Sequence, residues 1–95
     1  MNDDAGTVIV LGIFEVEGRR VSAVTRPGST SVWLDVIRGG ETLNDLGTVR
    51  HIDTDRPAFH PADRHRDWSS RPPTRELIKD RAQQLYLDHR AEAGE

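Results

Sequence analysis

The sequence predicts an α+β domain: a three- to four-stranded antiparallel β-meander, then a long polar loop, then one C-terminal amphipathic helix. Three observations carry this. Apolar and β-branched residues are dense from Val8 to Ile52, no periodicity runs through His51 to Pro73, and apolar residues return at helical spacing after Pro73. With 95 residues the chain makes a single domain (1–95) and has to use a small core efficiently. Residues 1–6 and 92–95 are expected as flexible ends. A small closed β-barrel with an appended helix is the alternative fold.

Thr7 to Glu17 (TVIVLGIFEVE) is too apolar to be half exposed and reads as the first strand. Gly18 with Arg19 makes a tight turn, and Arg20 to Arg26 (RVSAVTR) follows as the second strand. Pro27-Gly28 is a strong turn signal, because Pro presets the first turn position and Gly accepts a positive φ at the next. Ser31 to Arg38 (SVWLDVIR) is the third strand. Gly39-Gly40 breaks it, and a shorter fourth strand is expected around Gly47 to Ile52. Short connections make a meander the economical topology.

Pro72-Pro73 end whatever precedes them, and a helix over 74–91 is expected with Thr74 as its N-cap. Glu76 suits the positive end of the helix dipole and Arg90 the negative end. At about 100° per residue, Ile78, Ala82, Leu85 and His89 fall on one stripe flanked by Leu77 and Tyr86. Leu87 points away from it.

Composition removes several classes of protein. There are no cysteines, which excludes a disulfide framework, thiol catalysis and Cys-ligated zinc. No run approaches the roughly 18 apolar residues of a membrane span. The acidic start MNDDAGT is the opposite of a signal peptide's basic entry, so a cytoplasmic protein is expected. Twelve arginines against one lysine (Lys79) are the mark of a GC-rich bacterial gene. Net charge is −3, but residues 50–91 hold nine basic groups against seven acidic ones. The most basic window is Arg64 to Arg75, with Asp67 the lone acid among four arginines.

Strict alternation leaves the sheet with too much apolar surface. Val8, Val10, Phe14 and Val16 point one way, and Ile9, Leu11 and Ile13 the other. In the third strand Val32, Leu34 and Val36 oppose Trp33 and Ile37. One helix covers one face, so the face of Ile9, Leu11, Ile13, Trp33 and Ile37 needs a cover. A second copy of the chain comes first, ahead of the long loop folding back on Phe59 and Trp68, and ahead of a different protein partner.

The loop also gathers chemistry-bearing residues. His60, Asp63, His65 and Asp67 are types that bind a metal ion or serve acid–base hydrolysis, but their spacing matches no motif with a known mechanism. There is no GxSxG elbow, no phosphate-cradling glycine loop and no dinucleotide fingerprint. Neither a catalytic site nor a cofactor is therefore expected. Arg64, Arg66, Trp68, Arg71 and Arg75 interleave arginines with an aromatic and lead into a helix N-terminus, which suits nucleic acid. The favoured expectation is a non-catalytic, self-associating protein-interaction or regulatory module, a homodimer using the second sheet face. Nucleic-acid binding is the alternative, and a metal or hydrolytic site the third reading.

Overall fold

The structure, a computed structural model, describes residues 7–38 and 41–92. The Gly39-Gly40 break and the last three residues lie outside that range. Five strands, β1 (Ile9–Val16), β2 (Arg19–Thr25), β3 (Val32–Arg38), β4 (Glu41–Arg50) and β5 (Ala58–Pro61), form one antiparallel sheet in the order β1-β2-β3-β4-β5. A 3-10 turn (Asp63–His65) and a short helix α1 (Arg66–Ser69) lead to the long helix α2 (Pro72–Glu92). The class is α+β as expected, with five strands rather than three or four. The sheet is open, with β1 and β5 at its edges, so the barrel alternative does not hold. No helix among the described residues is long and apolar enough to cross a membrane.

The extra strand comes from the span expected as a loop. β5 pairs with β4 through Val49↔Phe59 and Thr48↔His60. Phe59 is fully buried there, which ties the segment to the core despite its polar neighbours. β4 also begins earlier than its sequence suggests. Its register with β3 slips at two places, so Leu43 and Leu46 have no counterpart on the neighbouring strand. Two bulges break the period of two on which strand recognition rests. Gly47 lies beside the second of them with φ +141°, and a Cβ there would collide with the His60 carbonyl oxygen. Only glycine fits that position without pushing β5 away.

Helix α2 runs back along β1 in the opposite sense. Thr74 near its start donates to the Glu17 carboxylate, Leu85 lies 3.0 Å from where a Cβ on Gly12 would be, and Tyr86 donates to the Ser29 carbonyl at 3.4 Å. Pro72 and Pro73 form its first turn, where a missing N–H costs nothing. Thr74 is therefore inside the helix and buried, and does not cap it. Ile78 and Ala82 are fully buried, Leu85 and Tyr86 pack against the core, and Leu77 and Leu87 are exposed. Phe14, Val21, Leu34, Val49, Phe59 and Trp68 complete one core beneath the helix.

Candidate functional site

On the side of the sheet away from α2, side chains form rows across the strands, because residues in register share a face. The central row is Val10, Val24, Trp33, Thr48 and His60. Next to it toward the β1–β2 hairpin come Ile13, Ser22, Asp35 and Asp45, then Glu15, Arg20 and Ile37. On the other side of the central row stand Arg26 and Arg50, each two residues along its chain from Val24 and Thr48. The Arg26 guanidinium lies 5.5 Å from the Trp33 ring, which places it over this face. Val10 is 67% exposed and Ile13 49%, while Val24, Trp33 and Ile37 are half-buried by their neighbours. No described element packs over the central row, while Arg20 and Ile37 of the outermost row border a cavity with Arg64, His65 and Trp68.

Two residues expected on this face are not on it. β1 carries a bulge between Val10 and Gly12, where Gly12 takes φ +152° and Leu11 has no partner on β2. The extra residue shifts the alternation. Leu11 packs against the core, and Ile9, opposite the buried Thr25, lines a cavity with Tyr86 and His89 on the helix side. Val10 takes the outward place instead. Ile13, Trp33 and Ile37 lie where alternation puts them.

Asp35 and Asp45 face each other directly across β3 and β4 in the middle of this surface. Burial, reinforced by the Asp45 charge, raises the Asp35 carboxyl above its ordinary value. Asp45 is held by the Gly47 N–H, which donates to its Oδ1 at 3.0 Å. Asp35 was legible on this face from alternation. Asp45 was not, because the Leu46 bulge decides where it points.

Several side chains of the long connection are engaged within the chain itself. Trp68 is 7% exposed, donates from Nε1 to His65 Nδ1 at 3.0 Å, and carries the Arg19 guanidinium 4.0 Å above its ring. An indole covered on one side and buried on the other offers no face for a base to stack on. Arg71 pairs with Glu17 at 3.0 Å, Arg66 with Asp63 at 2.8 Å, and Arg75 donates to the Phe59 carbonyl at 3.2 Å. Arg64 lines a cavity of about 560 Å³ with Arg19, Arg20, His65 and Trp68. The metal-type residues are dispersed in role: His60 lies on β5, Asp63 pairs with Arg66, His65 receives the indole N–H, and Asp67 is exposed. Among the described residues, no group of three or more His, Asp or Glu stands where it could share an ion.

Glu17 escaped the sequence reading. It occupies the β1–β2 turn with φ +51°, and its carboxylate receives Thr74 and Arg71, more than fifty positions away in the chain. Nothing local in the sequence announces a partner at that distance. No protein-family model, curated protein or solved structure matches the chain.

Proposed function

We propose that the chain is a non-catalytic interaction module that self-associates through the open face of its sheet. One observation carries this reading: a contiguous apolar surface of Val10, Ile13, Val24 and Trp33, with Ile37 at its periphery, on the side of the sheet away from α2. Contiguous apolar patches of this kind mark interaction sites in proteins that stay in solution. With strands about 4.8 Å apart and outward side chains about 6.8 Å apart along a strand, the face offers at most on the order of 650 Å² per copy. That lies toward the lower end of the roughly 600–1,000 Å² per partner of a standard interface, which is compatible with a weak, concentration-dependent dimer. A regulatory module that assembles only above a threshold concentration fits such an affinity. Sedimentation velocity from about 1 to 500 μM tests it, since a weak dimer populates within that range. A rising sedimentation coefficient that Trp33→Glu or Ile13→Glu abolishes is the expected result, and a single monomer throughout would reject self-association.

Nucleic acid remains the second reading, supported by the cavity where Arg19, Arg20 and Arg64 converge. It calls for salt-sensitive binding of a mixed oligonucleotide pool that Arg64→Gln and Arg20→Gln weaken. Absence of any retardation at low salt would exclude it.

A further inference from the structure

The open face is not uniformly apolar, and its charges fall in separate rows. Arg26 and Arg50 stand on one side of the Trp33 row, and Asp35 and Asp45 on the other, each one step away. Outward-facing residues two apart on a strand are about 6.8 Å apart, so the basic and acidic rows flank the apolar row at equal distances. Of the two rotations that keep the strands of facing sheets aligned, only one makes such a surface complementary to itself. If a second copy packs face to face about an axis along the Trp33 row, perpendicular to the strands, the basic row of each copy lies over the acidic row of the other. If the axis runs parallel to the strands, arginines meet arginines and aspartates meet aspartates.

We infer that, if the chain self-associates as proposed above, the dimer forms about the first axis. Trp33 then meets Trp33 of the other copy, and Arg50 lies over Asp45. Strands of the two sheets run antiparallel across the interface, tilted by about 30° from sheet twist. Two symmetry-related Arg–Asp clusters set the register, and the apolar row supplies the contact area. Ile37 lies one row beyond the aspartates, at the periphery, so it contributes less than Trp33 or Val24. Glu15 and Arg20 share that outer row and stay in solvent.

This arrangement couples assembly to protons in a definite sense. In the single chain, burial and Asp45 make Asp35 harder to ionise than an ordinary carboxylate. Across the interface a guanidinium would favour the ionised form, so the carboxyl titrates lower in the dimer than in the monomer. A group with a lower value in the assembled state strengthens assembly above its monomer value and loses that contribution as pH falls through its dimer value. The dimer therefore weakens on acidification through the carboxylate range. The other axis gives the opposite sign, because facing aspartates release their repulsion when they take up protons. His60 is the one imidazole on the apolar row among the described residues. Repeating the measurement on His60→Gln removes it.

The test is a charge swap read by sedimentation equilibrium at low and moderate salt. Arg50→Glu alone and Asp45→Lys alone should each weaken the dimer about tenfold, because both symmetric pairs change from attraction to repulsion. Mixing the two variants, or placing both changes in one chain, should restore association to near its original strength. Circular dichroism of each variant, and the doubly changed chain itself, separate an assembly defect from a folding defect, since Asp45 also holds the Gly47 N–H. A stronger dimer on Arg50→Glu, no rescue on mixing, or tighter association at acid pH would overturn this geometry while leaving self-association standing. A wild-type chain that is monomeric at every concentration would instead reject the self-association reading on which the geometry rests.

Discussion

The two faces of this sheet are built from similar residues and do different things. Toward the helix, Val21, Leu34, Val49 and Phe59 are fully buried, and among the described residues no charged side chain is buried in that core. On the open side, Val10, Ile13, Val24, Trp33 and Ile37 share the surface with two aspartates and flanking arginines. Hydrophobicity alone does not tell the faces apart. Charge does: the covered face is closed by apolar packing, and the open face carries basic and acidic residues in separate rows. A face built only to be solvated would hold more polar residues and fewer of the size of Trp33.

That contrast is broken most severely on the helix side. Phe59→Ala should cost about 3–5 kcal/mol, because a fully buried ring leaves a cavity that its neighbours fill only partly. Urea unfolding would show it, and a loss below about 1 kcal/mol would mean that β5 is not part of the cooperative core. Gly47→Ala should cost about 3 kcal/mol, from a disfavoured φ together with the clash against the His60 carbonyl. Its distinguishing sign is lost amide protection in β5, with β1 and β2 unaffected.

Smaller effects belong to the polar links between the layers. Glu17→Ala removes the acceptor for Arg71 and Thr74 and should cost about 1–2 kcal/mol, since it leaves the buried Thr74 hydroxyl without its partner. On the open face, Ile13→Ser should change the monomer's unfolding free energy by less than about 0.5 kcal/mol while reducing self-association. Asp35→Asn is the finest probe. Relief of the cross-strand repulsion with Asp45 should stabilise the monomer by about 0.5 kcal/mol at neutral pH. Sign matters here: a carboxyl raised in the folded state penalises folding when ionised, and the penalty fades as pH falls through its folded value. The gain over wild type should therefore vanish in acid. If it persisted there, its source would be something other than charge.

How far the sequence revealed these faces depends on where the strands are regular. β2 and β3 alternate without interruption, so Trp33, Ile37 and Asp35 could be placed on one face, and Pro72-Pro73 marked the start of the helix. β1 and β4 could not be read this way, because an extra residue at Leu11 and others at Leu43 and Leu46 turn the pattern over midway. Ile9 and Leu11 were misplaced for that reason. β5 has four residues, two of them Pro61 and His60, and only its pairing with β4 makes it a strand. Phe59 and Trp68 stood out as anchors from their size and isolation. Their destination, the helix side rather than the open face, is decided by long-range contacts such as Glu17 with Arg71.

The Leu11 bulge has one more consequence, for solubility. β1 is an eight-residue, largely apolar strand, and the described residues put nothing along its outer edge. Such an edge is a template on which further chains can add as strands and grow into fibrils. A bulge interrupts the ladder of outward N–H and C=O groups and twists the strand away from a straight partner. The kink that sends Leu11 into the core thus also makes this edge a poor template for an added strand.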